Sequence, residues 1–276
     1  MILFPNSKIN LGLRILRKRS DNYHDLETIF YPLPLYDILE IIPLQKTAGK
    51  AGTAFSKSGF SIPGEDNTNL CLKAFHLLKK DFPGLPPVQI HLHKGVPAGA
   101  GLGAGSADAA FTLKLLNDKF DLKLATSQLI AYAAQVGSDC AFFIINKTCY
   151  ATGKGEQLEP FELDLSAYKF VIVNPGIHIN TGEAFLAARP SEHEGTIKEI
   201  VRSPVEKWKN ELSNDFEQVI FKQYPSIAAI KDDLYAAGAI YASMTGSGSS
   251  VYGIFPKEKE LSLSFPPGWF VKELHG

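Results

Sequence analysis

The stretch Pro97-Ala-Gly-Ala-Gly-Leu-Gly-Ala-Gly-Ser-Ala-Asp-Ala-Ala110 carries four glycines at alternate positions. It follows residues 88–92, in which apolar and polar residues alternate as in a strand, and it leads into a predicted helix over residues 106–117. Glycines let backbone amides curl around an anion, and the first turn of the helix adds unpaired N–H groups and the positive end of the helix dipole. The stretch therefore predicts a phosphate site, with a triphosphate as its natural ligand.

Other glycine-rich patterns fit this stretch less well. A Walker loop requires a lysine before the closing Ser or Thr, and Gly105-Ser106 has none between its two residues. Residues from 99 onward match a dinucleotide-binding fingerprint only loosely. That fingerprint requires an acidic residue at the end of the next strand, whereas Asp118 and Asp121 follow a predicted helix. A flexible linker would also be rich in glycine, although linkers seldom lie between a strand and an alanine-rich helix start.

Composition narrows the class of protein. The chain has 276 residues, is 45% hydrophobic, and balances 28 basic against 29 acidic residues. This balance argues against a nucleic-acid partner. The cysteines have no paired spacing, which excludes a disulfide framework or a cysteine-ligated zinc site, and no window approaches the ~18 apolar residues of a membrane span. We expect a cytoplasmic protein with no membrane partner.

Strand and helix patterns are mixed along the chain without strict alternation, which favours an α+β fold. Residues 8–16 alternate between apolar and polar side chains and predict a half-buried strand. Gly137 follows a predicted helix and is expected to adopt the left-handed conformation that ends many helices. Two domains are predicted, over residues 1–155 and 156–276.

Several polar residues are candidates for function, each with an ordinary alternative. Asp139 precedes the apolar run 140–145, where it is equally well read as a helix N-cap or as a functional carboxylate that needs a partner. Lys8 lies on the polar face of the first strand, and its residue type alone favours a solvated side chain. Tyr23 and His24 suit either an exposed hairpin tip or a ligand contact.

Three segments together resemble a known family. Residues 97–110 resemble the phosphate-binding motif of the GHMP kinase superfamily, and the strand 8–13 and the glycine turn 244–250 are similar to its other motifs. Further segments resemble the branch that phosphorylates a cytidine-diphosphate-linked methylerythritol: residues 21–28, 137–143 and 174–181. One departure is Ala107, where many relatives carry a serine.

The resemblance implies a fold and a reaction. The fold would comprise an N-terminal ATP-binding α+β domain and a C-terminal ferredoxin-like domain, with the active site in the cleft between them. The reaction would transfer the γ-phosphate of ATP, with Mg²⁺, to the 2-hydroxyl of this small-molecule substrate in non-mevalonate isoprenoid biosynthesis. No pair of carboxylates in the sequence indicates where Mg²⁺ would bind, so no metal ligand is assigned. Two alternatives stay open: another alcohol, such as homoserine or a mevalonate derivative, and a non-catalytic nucleotide-binding regulator.

The resemblance also implies roles for individual residues. Lys8 and Asp139 would be catalytic. Tyr23 would stack on the cytosine, His24 would hydrogen-bond the edge of the base, and Phe185 would cover the base. The further substrate contacts would be Asn10 and Thr181. The nucleotide-binding residues would be Pro97, Ala98, Gly99, Ala100, Gly101, Leu102, Gly103, Ala104, Gly105, Ser106 and Ala107.

Overall fold

A computed structural model describes residues 1–44, 53–190 and 194–275 and has the predicted α+β fold. Its strands are β1 (Ile2–Leu3), β2 (Asn6–Lys18), β3 (His24–Tyr36), β4 (Ile38–Pro43), β5 (Ala54–Gly59), β6 (Val88–Lys94), β7 (Cys149–Thr152), β8 (Gln157–Pro160), β9 (Tyr168–Asn174), β10 (Tyr241–Met244), β11 (Val251–Pro256) and β12 (Phe270–His275). Its α-helices are α1 (Leu70–Asp81), α2 (Ala104–Lys119), α3 (Thr126–Val136), α4 (Cys140–Ile145), α5 (Thr181–Ala187), α6 (Ile197–Val201), α7 (Val205–Glu211), α8 (Glu217–Gln223) and α9 (Pro225–Ala236). None of these helices is both long and apolar enough to cross a membrane.

The chain folds into two compact units, each built from separate segments. The first unit comprises residues 1–7, 35–98 and 103–146, and the second comprises residues 8–34, 99–102 and those from 147 onward. The second unit includes an N-terminal segment because β3 pairs with β7, with Ile29 opposite Tyr150. These units differ from a single division of the chain at residue 155, which stays a prediction.

The first unit is a four-stranded sheet, in the order β1-β4-β6-β5, with helices α1 and α2 in contact with each other. β4 pairs antiparallel with β6, with Leu39 opposite Leu92, and β5 pairs parallel with β6. Because side chains alternate across a strand, Leu39 and Leu92 are buried while His91 and His93 point to the other face, where they hydrogen-bond to serines of β5.

The second unit contains two four-stranded sheets, ordered β2-β3-β7-β8 and β10-β11-β9-β12. A core of aliphatic and aromatic side chains lies between β9, β11 and the helix α9, and includes Val171, Val173, Ile230, Leu234 and Phe255. β9 is the central strand beside β12, with Val171 opposite Glu273. This sheet explains the continuous apolar run of residues 170–173, which a strand buried on both faces requires.

Two local predictions are wrong. β2 is not half-buried: both of its faces are buried from Asn6 to Ile15, because Arg14 on the polar face pairs with Glu27 at 3.8 Å and donates to the carbonyl oxygen of Gly195 at 2.8 Å. Gly137 is not left-handed: it has a φ of −176°, an extended conformation, since the chain continues directly into α4 after it.

Candidate active site

The glycine loop has a backbone that only glycine adopts with ease. Gly99, Gly101 and Gly103 have φ values of 68°, 79° and 69°, in the left-handed region. A Cβ atom on Gly101 would lie 2.2 Å from the carbonyl oxygen of Thr245, inside any allowed contact. The glycine at 101 is therefore required both by its dihedral angle and by the backbone beside it.

Three carbonyl groups of the loop are bound by the protein itself. The carbonyl of Ala100 accepts from the amide of Ser250 at 3.2 Å, and the carbonyl of Leu102 accepts from the amide of Lys8 at 2.9 Å. The carbonyl of Gly101 accepts from the hydroxyl of Thr245 at 3.1 Å. In a trans peptide the C=O and N–H groups point in opposite directions. The N–H groups of residues 101–103 are therefore directed away from these contacts, as an anion site requires.

α2 begins directly after the loop, with Gly103 at its N-cap and no acidic residue in its first turn. The helix is 16 residues long, so the positive end of its dipole is well developed and is not neutralised by its own side chains. The helix α4 packs against α2 within the first unit.

Asp139 is the residue that immediately precedes Cys140, at the N-cap position of α4. Its half-buried side chain forms no cap hydrogen bond to the described amides of the helix, so the N-cap alternative is not realised. The hydroxyl of Ser138 donates a long hydrogen bond of 3.5 Å to its carboxylate. This carboxylate therefore lies at the start of a helix that packs against α2, whose own start is part of the predicted phosphate site, and it is not used as a cap.

A cavity of about 160 Å³ lies in the first unit beside the loop. Its walls come from β5, from the segment 62–70 and from α2, and they include Ala98 and Gly105 of the predicted phosphate site. Apolar groups from Ile62, Pro63 and Leu70 line part of it. Small-molecule sites are typically concave, with apolar walls and a few polar groups, and this cavity has that character.

Lys8 is buried, so its interpretation as a solvated strand lysine is wrong. Only 3% of this residue is exposed. Its Nζ donates to Oδ1 of Asn10 at 2.6 Å and lies 4.8 Å from the ring centroid of Phe30. Oδ1 of Asn10 also accepts from the hydroxyl of Thr245 at 3.2 Å, and its Nδ2 donates to the hydroxyl of Thr28 at 3.0 Å. Asn10 therefore orients the lysine, and its contact with substrate stays a prediction.

The predicted cytidine-binding residues lie around the turn between β2 and β3. His24 is 7% exposed and stacks on Phe185, with centroids 5.3 Å apart and planes at 16°. Burial, assisted by the charge of Lys18, lowers the pKa of His24, so its ring is neutral at physiological pH. Tyr23 is 59% exposed, with Nζ of Lys154 at 4.5 Å from its ring centroid.

Thr181 starts α5, and its hydroxyl hydrogen-bonds to that of Ser247 in the late glycine turn at 2.9 Å. In that turn Nδ2 of Asn174 donates to the hydroxyls of Ser249 and Ser250, each at 3.0 Å. The turn 244–250 is thus held by polar side chains from β9 and α5, and it supports residues 100–101 of the glycine loop.

Sequence reasoning missed a polar cluster in the first unit. Lys94 is buried on the core face of β6, where it forms ion pairs with Asp37 and Asp108. The signal was present, because Lys94 continues the apolar alternation of Val88, Ile90 and Leu92. A lysine at such a position predicts a buried carboxylate partner.

Comparison with known proteins agrees with this arrangement. A family model described as "GHMP kinases N terminal domain" matches residues 69–147, and "GHMP kinases C terminal" matches residues 196–263. A protein of Bacteroides fragilis, named 4-diphosphocytidyl-2-C-methyl-D-erythritol kinase, is 53% identical over 266 residues, covering 96% of each chain. A protein of Cytophaga hutchinsonii with the same name is 50% identical and covers 94% of each chain.

Solved structures give the same result. A crystal structure of 4-(cytidine 5'-diphospho)-2C-methyl-D-erythritol kinase superposes with a TM-score of 0.78 at 26% identity over 100% of each chain. A homoserine kinase from Cytophaga hutchinsonii has a TM-score of 0.70 at 14% identity over 98% of this chain and 94% of its own, which shows a shared fold. The prediction of a small-molecule kinase is confirmed: the chain belongs to the GHMP kinases, in the family of the 4-diphosphocytidyl-2-C-methyl-D-erythritol kinases.

Proposed function

We propose that this protein transfers the γ-phosphoryl group of ATP to the 2-hydroxyl of 4-diphosphocytidyl-2-C-methyl-D-erythritol, a step in isoprenoid precursor synthesis. The observation that carries the proposal is the glycine loop that opens into α2, together with the carboxylate of Asp139 at the start of α4, a helix that packs against α2. The names of the curated relatives support the acceptor.

ATP is the phosphoryl donor of the GHMP kinases, and the loop suits its phosphates. In the proposal, backbone N–H groups within residues 98–107, including those at the start of α2, hold the phosphates, and the cavity beside Ala98 and Gly105 holds the base. Among the described residues no three His, Cys, Asp or Glu side chains converge on one point that could hold a metal. In the proposal, Mg²⁺ enters with ATP and is carried mainly by the phosphates, where it would neutralise charge.

In the chemical step, the 2-hydroxyl oxygen forms a bond to the γ-phosphorus, and the bond between that phosphorus and the β-γ bridging oxygen breaks to release ADP. We assign Asp139 the role of accepting the hydroxyl proton. Because phosphoryl transfer passes through a loose transition state, orienting the hydroxyl contributes more than removing its proton early. Lys8, held by Asn10, supplies positive charge to stabilise the phosphoryl oxygens.

The acceptor is proposed to be recognised by its cytosine. A neutral imidazole offers one N–H donor and one nitrogen acceptor, and the edge of cytosine presents an amino donor beside a ring-nitrogen acceptor, so the two edges can pair. His24 is held for this role by Phe185, and the exposed ring of Tyr23 offers an aromatic face to the base. Thr181 and Asn10 complete the proposed acceptor site.

Two alternatives are less well supported. The likeness to homoserine kinase concerns the fold alone at 14% identity, whereas relatives at about half identity carry a single name. A non-catalytic binder would not need a carboxylate such as Asp139 beside its phosphate loop.

The proposal is tested by supplying the purified protein with Mg²⁺-ATP and a panel of alcohols: the cytidylylated methylerythritol, unmodified methylerythritol, homoserine and mevalonate. We expect kcat/KM for the cytidylylated compound to exceed that of every other alcohol by at least about 100-fold, or about 2.7 kcal/mol. Faster turnover of homoserine or mevalonate would overturn the acceptor. ATP binding without turnover of any alcohol would favour the regulator.

A further inference from the structure

A chain of hydrogen bonds in the second unit runs from Lys8 through Asn10 to Thr28 and ends on the carbonyl group of Gly12. Nζ of Lys8 donates to Oδ1 of Asn10 at 2.6 Å, and Nδ2 of Asn10 donates to Oγ1 of Thr28 at 3.0 Å. The hydroxyl of Thr28 donates in turn to the carbonyl oxygen of Gly12 at 2.5 Å. Lys8, Asn10 and Thr28 are 3%, 2% and 0% exposed, so the three side chains of this chain are buried.

The hydrogen of the Thr28 hydroxyl fixes the direction of the chain. A hydroxyl has a single hydrogen to donate, and the carbonyl oxygen of Gly12 can only accept, so this hydrogen points toward Gly12. The oxygen of Thr28 is then left to accept from Asn10, and the group that donates to it must be the N–H end of the amide. Thr28 therefore distinguishes the two ends of the Asn10 side chain, which have nearly the same shape.

The opposite end of the Asn10 amide receives donors. Besides Nζ of Lys8, Oδ1 accepts from the backbone amide of Gly246 at 3.0 Å and from the hydroxyl of Thr245 at 3.2 Å. If the amide were turned over, its NH₂ group would face these donors, and its oxygen would face a Thr28 hydrogen that is already used. Because unpaired buried donors are costly, only the observed orientation satisfies the cluster.

Thr28 holds the end of the amide that no other described residue holds. Among the residues that the structure describes, it is the only acceptor for Nδ2 of Asn10. Without the Thr28 hydroxyl, this end of the amide could rotate, and Oδ1 would move with it. Nζ of Lys8 lies 4.8 Å from the ring centroid of Phe30 and donates to that same Oδ1. A movement of Oδ1 would therefore displace the charge of Lys8.

We infer that Thr28 is a positioning residue for phosphoryl transfer: its hydroxyl holds the amide of Asn10, and this amide holds the ammonium group of Lys8. The inference rests on the proposed function, because it takes the charge of Lys8 to act in the transfer step. Thr28 is 0% exposed and cannot itself contact a substrate. Displacing a preorganised charge weakens stabilisation of the transition state more than it weakens substrate binding, so kcat should depend on Thr28 more than KM does.

The test is steady-state kinetics of the wild type, T28V, T28S and T112V, with kcat referred to the concentration of sites that bind ATP in calorimetry. Valine keeps the shape of threonine without its hydroxyl, whereas serine keeps the hydroxyl. We expect T28V to lower kcat at least about tenfold and to change each KM less than about twofold. T28S should retain a kcat within about threefold of the wild type.

T112V is the matched control for loss of a buried hydroxyl. Thr112 is also 0% exposed, and its hydroxyl also donates to a backbone carbonyl, that of Asp108 at 2.8 Å. It lies in the first unit and is not part of the chain of hydrogen bonds. T112V is therefore expected to keep the kcat of the wild type; a fall as large as that of T28V would show a general effect of buried hydroxyls and overturn the inference.

A double-mutant cycle tests whether Thr28 acts through Asn10. N10A should lower kcat at least as much as T28V does. N10A/T28V should have the kcat of N10A within about twofold, because no amide remains for Thr28 to hold. Losses that multiply in the double variant would mean that Thr28 acts independently of Asn10, and the inference would be wrong.

The serine variant decides whether the hydroxyl itself matters. A kcat for T28V within about threefold of the wild type, or an equal fall in T28S, would overturn the inference. Should T28V not fold, T28C replaces it, since a thiol is close in size to a hydroxyl but is a weak donor and acceptor. Equal kcat values for T28C and T28S would then contradict the inference.

These variants are compared with whichever alcohol of the panel the wild type phosphorylates fastest. A fastest alcohol other than the cytidylylated methylerythritol would overturn the proposed acceptor, and the comparison of Thr28 variants would still decide the inference. Absence of turnover with every alcohol would contradict both the proposed function and the role of Thr28.

Discussion

Two aspartates of the first unit, Asp108 and Asp139, both lie near the start of a helix but have opposite surroundings. Asp108 lies on the second turn of α2, is 3% exposed, and contacts the buried ammonium of Lys94. Asp139 lies at the start of α4, is half-buried, and makes no cap hydrogen bond to the described residues of that helix. The two helices, α2 and α4, pack against each other.

The difference between the two carboxyl groups shows how burial changes what an aspartate can do. Deep burial raises the pKa of Asp108 and fixes its side chain beside Lys94. Asp139 is partly exposed, as the proton acceptor that we propose it to be must be. The same residue type therefore has different chemical surroundings at two positions of one unit.

Asp139→Asn should produce the largest effect. It keeps the shape of the side chain but removes the basic oxygen, so kcat should fall by about 10²–10⁴-fold. The Kd of ATP should change by less than about twofold, since the loop is untouched. D121N is the control, because the Asp121 side chain is 81% exposed in the turn after α2. Rapid-quench kinetics and calorimetry measure both quantities; a kcat within threefold of the wild type would remove Asp139 from the chemistry.

Lys94→Met should lower the free energy of unfolding, because Lys94 pairs with Asp108 and Asp37. It leaves two buried carboxyl groups without a cation, and loss of one partner of a buried ion pair costs about 3–5 kcal/mol. Urea unfolding at pH 7 should show this loss, and K94M/D108N should recover part of it because one carboxyl group is removed. K57M, at a lysine whose side chain is 35% exposed, should cost less than about 1 kcal/mol. Equal costs for K94M and K57M would mean that the cluster contributes little.

Gly101→Ala should affect the loop that precedes Asp108. The new Cβ would lie 2.2 Å from a backbone oxygen at a positive φ, so we expect a loss of about 2–3 kcal/mol in unfolding free energy. G105A is the matched control: its Cβ would have no neighbour nearer than 3.9 Å, at Leu70, and it lies within α2, where alanine is favourable. Thermal unfolding of both variants measures the two losses of stability. The prediction is wrong if G105A is destabilised more than G101A.

His24→Ala should have the smallest effect of these substitutions. It should leave the properties of Asp108 and Asp139 unchanged. It removes the proposed contact with cytosine, so KM for the cytidylylated alcohol should rise about five- to tenfold, while KM for ATP should not change. H76A, at an exposed histidine of α1, should alter neither constant. Steady-state kinetics with each substrate varied in turn distinguish these outcomes. A change confined to KM for ATP would place His24 outside the acceptor site.

Much of the fold followed from local sequence. The alternation of residues 88–92 predicted β6, and the glycine run predicted the turn into α2, because both features depend on neighbouring residues. β12 was not predicted: Phe270–His275 has a mixed pattern, and it forms a strand because β9 offers it an open edge. Trp208 on α7 is buried within the second unit although most of its neighbours along the helix are charged.

The candidate site was predictable where a motif carried it. Residues 97–107 were assigned from the glycine pattern and by resemblance, Lys8 and Asp139 by resemblance alone, and the roles of all of them stay predictions. The environment of each group was not predictable, since burial of Lys8 depends on Phe30 and Asn10, and the raised pKa of Asp108 depends first on its burial and then on Lys94 and Asp37, which lie 14 and 71 positions earlier in the chain. Such states are set by side chains that meet only after folding.

The central claim is tested most directly by phosphorus-31 NMR of the wild-type protein with Mg²⁺-ATP and the cytidylylated methylerythritol. We expect one new phosphomonoester signal, coupled to the carbon that bears the 2-hydroxyl, with the cytidine diphosphate intact and ADP formed in equal amount. The signal should be absent over the same interval in D139N. Release of inorganic phosphate alone, or the same phosphomonoester at the same rate from D139N, would contradict the account.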